Sequence, residues 1–245
     1  MTAALPTPRT RHTHLDPGLL VAGLIGLLAA WPFLTRASLP VFTDTEQHVY
    51  RTFEILSAWR AGVPYVRWAP DLFHGFGYPV FNYYAPLTYY LAAAYGVFFG
   101  DGGAVAGVKF VYVFSAVAGA VGMYAWRRST GEGLGALLAS AAFALSPFLV
   151  ALEPHGLGHT PQLLAIALAP WPFWAFGRLL SAPSPMRTVV AAVALAASLL
   201  AHNIMALFVL ALLGAWLAWS LTQAPGQRGR QRPARAAPRE RVLGS

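Results

Sequence analysis

The sequence contains no cysteine and little charge. Without cysteine, the chain can form neither a disulfide nor a thiolate metal site. Charged residues make up 11% of the chain, whereas soluble domains carry about 25%, so the polar surface of a water-soluble domain is missing. Hydrophobic residues make up 57%, and they lie in long runs without the alternation typical of transmembrane strands. The composition therefore predicts an all-α polytopic membrane protein.

The remaining charge is unbalanced in sign, with a net charge of +8. Six arginines lie within residues 228–245, after the last apolar run. Basic residues collect on the cytoplasmic segments of membrane proteins, which explains the charge without a nucleic acid. We therefore expect membrane lipid as a partner, and no nucleic acid.

Six apolar runs approach the length of about 20 residues that a membrane span needs. Residues 87–100 form a shorter apolar stretch, which is more typical of an interfacial or re-entrant segment. If this stretch does not span, Arg127 and Arg128 fall on the side of Arg9 and Arg11, as the distribution of basic residues in membrane proteins favours. Both termini are then cytoplasmic. The predicted spans are 17–34, 105–126, 133–151, 162–180, 187–201 and 204–221.

Three regions follow from these spans. Residues 1–16 are a cytoplasmic N-terminus, and residues 17–221 are the transmembrane module with a long outer loop over residues 35–104. A second, short outer segment covers residues 152–161. The last two spans adjoin, so the chain is expected to turn near His202 and Asn203. Residues 222–245 have almost no apolar content, which predicts a disordered basic cytoplasmic tail.

The long outer loop begins with VFTDTEQHVYRTFEILSAWRAG, residues 41–62. Asp44 is a favoured helix N-cap, and Gln47 three residues later completes a capping-box pattern. An amphipathic juxtamembrane helix is therefore predicted over residues 45–61. Capping and a chemical role for the Asp44 carboxylate are compatible, and the pattern leaves both open. The apolar face of this helix is predicted to be Val49, Phe53, Leu56 and Trp59.

Prolines, glycines and aromatics dominate residues 63–91. The aromatics have two open interpretations: an interfacial belt, or a platform for sugar rings or lipid. The short outer segment brings Glu153, His155, His159 and Gln162 to the membrane surface. Two histidines and a glutamate are compatible with a divalent metal, but their spacing matches no standard site, so no cofactor is required by the sequence.

The order of these features resembles the GT-C superfamily of integral membrane glycosyltransferases. A first span leads into an outer loop with an early acid, then an aromatic stretch ending in PLTYYL, and later a basic pair and a second polar loop. More closely, FTDTEQHVYRTFEILSAWRAGVPYVRWAPDLFHGFGYPVFNYYAPLTYYL is similar to the bacterial membrane family labelled "6-pyruvoyl-tetrahydropterin synthase-related". The resemblance covers about residues 17–221.

The resemblance implies a function at the outer face of the bacterial plasma membrane. GT-C enzymes move a sugar from a polyprenyl-phosphate carrier to an acceptor, and their first-loop aspartate acts on the acceptor or binds a metal. That role falls on Asp44, with Glu46 as a second candidate, while Arg51, Arg67 and His202 are candidates to stabilise the leaving phosphate. The substrate-binding residues implied are His48, Arg51, Arg67, Tyr78, Asn82, Tyr83, Glu153, His159, Gln162, His202 and Asn203.

Two alternatives stay open. Because GT-C enzymes generally have more spans, the chain could need a partner subunit, or it could be a non-catalytic protein that binds lipid-linked sugar or a partner. A small transporter is the second alternative. It is disfavoured because Lys109 is the only charged residue well inside a predicted span, whereas transporters usually carry several polar groups at mid-membrane.

Overall fold

The computed structural model of the protein describes residues 16–222. Within that range the chain is all-helical and contains no β-strand, which confirms the predicted fold class. A π-helical segment covers Phe148–Leu157. The α-helices are α1 (Pro17–Ala29), α2 (Trp31–Thr35), α3 (Thr45–Arg60), α4 (Leu87–Gly96), α5 (Gly103–Arg128), α6 (Gly133–Ala144), α7 (Thr160–Leu168), α8 (Pro170–Ser181), α9 (Pro185–Ala201) and α10 (Asn203–Thr222).

The chain divides into two compact units. The described part of the first covers residues 16–209, and its central element is α5, against which α1, α3, α4, α6, α7 and α8 all pack. The described part of the second covers residues 210–222, which continue α10 as an apolar helix. Except for its first residue, the predicted disordered tail at 222–245 lies outside the described residues, and the predicted domain boundaries stay a prediction.

Within residues 16–222, four apolar helical stretches are long enough to cross a membrane: Leu87–Arg128, Gly133–Leu157, Thr160–Ser181 and Asn203–Thr222. The protein is therefore an integral membrane protein, but six spans are not confirmed. Two of the predicted spans correspond to the shorter apolar helices α1 and α9, of 13 and 17 residues. The predicted turn between the last two runs is confirmed, because the backbone of His202 is extended between α9 and α10.

Prolines divide three of the predicted runs. A proline has no backbone N–H and its ring clashes with the carbonyl four residues earlier, so it interrupts the interior of a helix. The run 17–34 breaks at Ala30, two residues before Pro32. The run 133–151 breaks before Pro147, and α8 begins at Pro170 within the run 162–180.

Helix α4 folds back on α5. The intervening turn, Val97–Gly102, leaves helical geometry at Phe99 and Gly100. A Cβ atom added to Gly107 of α5 would collide with the Ala92 carbonyl of α4, so the two backbones touch. With 10 residues, α4 is about 15 Å long, half of the ~30 Å hydrocarbon core. The stretch 87–100 is thus one arm of a helical hairpin. This geometry suits the predicted interfacial or re-entrant segment, whose depth in the membrane stays a prediction.

Helix α3 buries a polar stripe. The predicted helix over 45–61 is present as Thr45–Arg60, but the buried stripe runs through Thr45, His48 and Thr52. Of the predicted apolar face, Leu56 is buried, Val49 and Trp59 are partly buried against the core, and Phe53 is 44% exposed. The predicted apolar face is therefore packed except at Phe53, whereas the buried polar stripe was not predicted. A polar residue can be buried when it finds a hydrogen-bond partner, and apolar periodicity does not reveal such partners. The Thr52 hydroxyl, for example, donates to the His48 carbonyl (2.8 Å).

Candidate functional site

Two loops that are distant in the sequence meet at the start of α3. The Asp44 backbone N–H donates to the Leu157 carbonyl (3.0 Å). Opposite it, Gly158 has a φ of +77°, a conformation that favours glycine. A Cβ atom on Gly158 would lie 2.5 Å from Thr43 Oγ1 and 2.7 Å from the Thr45 backbone nitrogen. Residues 43–45 and 157–159, which we call the loop junction, can approach this closely because position 158 has no side chain.

A buried tyrosine supports the loop junction from α5. The Tyr112 hydroxyl lies 2.8 Å from Thr45 Oγ1 and accepts a hydrogen bond from Thr160 Oγ1 (3.0 Å). Its ring stacks on Phe33 with the centroids 4.3 Å apart. One hydroxyl therefore ties together the first turns of α3 and α7. Sequence reasoning missed these three hydroxyl residues, since only their spatial convergence marks them.

The loop junction places an imidazole between two carboxylates. His159 Nε2 lies 3.5 Å from Asp44 Oδ2, and His159 Nδ1 lies 3.4 Å from Glu153 Oε2. Both distances suit ion pairs and are longer than typical hydrogen bonds. The side chain of Asp44 is 55% exposed, that of His159 is 37% exposed, and that of Glu153 is fully buried. The imidazole thus has an exposed carboxylate, Asp44, on one side and a buried carboxylate, Glu153, on the other.

Burial makes Glu153 dependent on His159. Neither carboxylate oxygen of Glu153 has a hydrogen-bond partner among the described residues. A buried carboxylate is costly unless a charge or hydrogen bonds compensate it, and the His159 imidazole, 3.4 Å away, is the group placed beside it. Because the carboxylates lie against opposite ring nitrogens, they cannot both bind one metal ion while the ring stays between them. Within residues 16–222, no three His, Cys, Asp or Glu side chains form a group suited to a metal ion.

A second polar cluster lies one turn along α3. The Tyr89 hydroxyl accepts from Arg51 Nη1 (2.8 Å) and lies 2.9 Å from His48 Nδ1. Since the phenolic oxygen accepts from the arginine, its own proton is available to donate to His48 Nδ1. Burial, followed by the charges of Arg51, His159 and His202, lowers the pKa of His48 to about 3. The His48 imidazole is therefore neutral near pH 7.

The turn between α9 and α10 adds His202 and Asn203. The Asn203 amide donates to the Tyr83 carbonyl (2.5 Å), and His202 lies edge-on to the Tyr84 ring at 6.4 Å. His202 Nδ1 also accepts the Met205 N–H (3.3 Å), at the start of α10. Burial and the charge of His159 lower the pKa of His202. This turn therefore faces the aromatic stretch of the first loop.

The structure corrects the capping prediction. Asp44 occupies the N-cap position of α3, but its side chain makes no capping hydrogen bond. Gln47 does not complete a capping box either, since its side-chain oxygen accepts from Arg51. Glu46 instead accepts the Phe42 N–H (3.1 Å) and does not join the group around His159. The Asp44 carboxylate is thus left available for chemistry.

Other predicted site residues lie apart from the loop junction. Arg67 donates to Asn82 (2.6 Å) in an exposed pair. Tyr78 packs on Phe73, with the ring centroids 4.6 Å apart, and lies edge-on to Tyr83. The remaining predicted residue, Gln162, is half-buried in α7.

Comparison with known proteins identifies the family. A family profile described as "6-pyruvoyl-tetrahydropterin synthase related domain; membrane protein" matches residues 81–225. The match covers more than half of the chain, and it includes Glu153, His159 and His202 but not Asp44. The match begins at residue 81, within residues 42–91, the stretch whose sequence resembles this family. No curated protein and no solved structure matches the chain significantly. The chain thus belongs to the membrane-protein family of 6-pyruvoyl-tetrahydropterin synthase-related domains.

Proposed function

We propose that this protein is a GT-C-type glycosyltransferase module of the bacterial plasma membrane. It transfers a sugar from a polyprenyl-phosphate carrier to a hydroxyl of a cell-envelope acceptor at the outer membrane face. The observation that carries the proposal is the exposed Asp44 carboxylate, held 3.5 Å from His159 with the buried Glu153 behind it. This is a carboxylate fixed in place by the fold yet open to a ligand.

The reaction assigns one role to each member of the loop junction. Asp44 accepts the proton of the acceptor hydroxyl as that oxygen bonds to the anomeric carbon of the donor sugar. The bond between the anomeric carbon and the phosphate oxygen breaks, and the lipid phosphate leaves with the electron pair. His159 orients Asp44, and the buried Glu153 on the far side of the ring holds the imidazole in place. No step in this scheme requires a metal, although the acceptor side of Asp44 is open to one.

The leaving phosphate needs a cation or a hydrogen-bond donor nearby. Of the three predicted candidates, Arg67 is already bound to Asn82. The lowered pKa of His202 makes it a neutral donor near pH 7. His202 is therefore the donor proposed for the leaving phosphate, and the permanent charge of Arg51 is left for another anion. Because both termini are proposed to be cytoplasmic, the loop junction lies at the outer membrane face, where the acceptor is found.

The proposal is tested by measuring sugar transfer in proteoliposomes. The assay supplies a radiolabelled polyprenyl-phosphate sugar and an isolated cell-envelope fraction, with or without other membrane proteins of the cell. Loss of a general base typically costs 10²- to 10⁴-fold in rate, so we expect at least a 100-fold loss in Asp44→Asn. Asp101→Asn is the matched control, since Asp101 is an exposed acid in the turn between α4 and α5.

Two outcomes would contradict the proposal. Wild-type transfer in a folded Asp44→Asn variant would remove Asp44 from the mechanism. Binding of the polyprenyl-phosphate sugar without turnover, even with the other membrane proteins present, would favour the non-catalytic binding protein instead.

A further inference from the structure

An arginine at the edge of the site has no acidic partner in the part of the chain that the structure describes. Arg51 is partly buried on α3, and its hydrogen bonds go to uncharged groups, the Tyr89 hydroxyl (2.8 Å) and the Gln47 side-chain oxygen (3.4 Å). Its guanidinium also lies over the Tyr84 ring, 4.6 Å from the centroid. Between residues 16 and 222, no carboxylate forms an ion pair with it. A permanently charged group that the fold leaves without a counter-ion is suited to receive an anion from a ligand.

Arg51 also lines a groove of about 330 Å³. One wall is formed by α3, with Gln47 and Tyr50, and the other by the first loop, with Leu72, Phe73 and Tyr78. The rings of Tyr50 and Phe73 are 62% and 60% exposed. Exposed aromatic rings beside hydrogen-bonding groups are typical of a site that holds a flat, partly polar ligand. A sugar ring has this character, with apolar C–H faces and polar edges.

The groove lies on the side of α3 that also carries Asp44. Asp44, Gln47 and Arg51 are spaced three and four residues apart, which places them on the same face of the helix. Seven residues separate their backbones by about 10 Å along the helix axis, and the Arg51 guanidinium reaches back to the Gln47 side-chain oxygen (3.4 Å). An anionic group bound there is about one helical turn from a hydroxyl that reacts at Asp44. Binding energy from such a non-reacting group can position the reacting part of a substrate.

We infer that the groove between α3 and the first loop binds an acidic carbohydrate, with its anionic group on Arg51 and its ring against Tyr50 and Phe73. The anion is a carboxylate or a phosphate ester carried by the sugar. The binding claim stands on the groove alone, and it rests on the proposed function only in identifying this carbohydrate as the acceptor that reacts at Asp44.

Binding can be measured without any transfer assay. Saturation-transfer NMR on the full chain in nanodiscs would use glucuronate, glucose 6-phosphate and neutral glucose as separate probes, and inorganic phosphate, which has no C–H protons, would be measured by its displacement of glucose 6-phosphate. We expect signals from the two acidic sugars and none from glucose. Arg51→Gln should weaken their binding at least tenfold, whereas Arg51→Lys should retain part of it. The matched control is Arg60→Gln, because Arg60 is exposed on the same helix and lies outside the groove.

Further variants keep the test decisive if Arg51→Gln fails to fold. Tyr50→Ala and Phe73→Ala remove exposed rings and should weaken the acidic sugars at least threefold without affecting inorganic phosphate. Equal binding of glucose and glucuronate, or unchanged binding in a folded Arg51→Gln variant, would overturn the inference. So would inorganic phosphate binding as tightly as glucose 6-phosphate, because the site would then bind a bare phosphate such as that of the lipid carrier.

Discussion

Substitution of Gly158 tests the closeness of the loop junction. In Gly158→Ala the new Cβ would lie 2.5 Å from Thr43 Oγ1 and 2.6 Å from Thr45 Oγ1, well inside contact distance. The left-handed backbone adds about 1–2 kcal/mol for a residue other than glycine. Overpacking costs about 1–3 kcal/mol, so a closed junction would be destabilised by roughly 2–5 kcal/mol. Opening the junction instead loses the hydrogen bond from Asp44 to Leu157, which costs about 1 kcal/mol.

The expected result is an opened junction and a less stable protein. The free energy of unfolding can be followed by SDS titration in mixed micelles. Opening can be followed by electron-spin distance measurement between labels on Glu46→Cys and Leu152→Cys, two exposed positions in a chain without other cysteines. We expect a lower unfolding free energy and a longer label distance in Gly158→Ala.

The matched control lies two residues away. Gly156→Ala has ordinary backbone geometry and would meet only a flexible side-chain carbon, Leu152 Cδ1, at 3.2 Å. It should therefore change the unfolding free energy by less than about 1 kcal/mol. If the two alanine variants behave alike in stability, the close contact between residues 158 and 43–45 does not exist in the protein.

Three further predictions concern buried polar groups. Tyr112→Phe should lower the unfolding free energy by about 1–3 kcal/mol, because two buried threonine hydroxyls lose their partner, whereas Tyr95→Phe should change it little in the same titration. Burial and the charge of Asp71 raise the pKa of Glu54 to about 7, so Glu54 stays protonated to a higher pH in the folded chain than in the unfolded chain. Stability should fall as the pH rises from about 4.5 to 7, less so in Glu54→Gln. For His48, whose pKa is lowered to about 3, the unfolded chain takes up the proton first. Stability should therefore fall as the pH drops below about 6.5, and less so in His48→Gln; equal slopes in wild type and variant would contradict either assignment.

Some features of the site could be predicted because they depend on residue type and local order. An acid directly after an apolar run, and a histidine-containing segment between two later runs, were sufficient to name Asp44, Glu153 and His159 as candidates. Their mutual geometry was not predictable. Glu153 lies in the π-helical segment and not in a loop, and that placement turns its carboxylate toward His159. Arg67 and Glu46 met the same chemical criteria but bind local partners instead.

The sequence by itself determined the class of the protein, because a membrane span and a helix depend on the length and polarity of a contiguous run. It determined the turn at His202 and the all-helical fold for the same reason. The tertiary structure alone decided which face of α3 is buried, how α4 folds back on α5, and which carboxylates meet at His159. Those outcomes depend on contacts between residues far apart in the chain, such as Gly158 with Thr43 and Tyr112 with Thr45. A buried polar group is stable only where such a distant partner completes its hydrogen bond or its charge, and no local pattern encodes that partner.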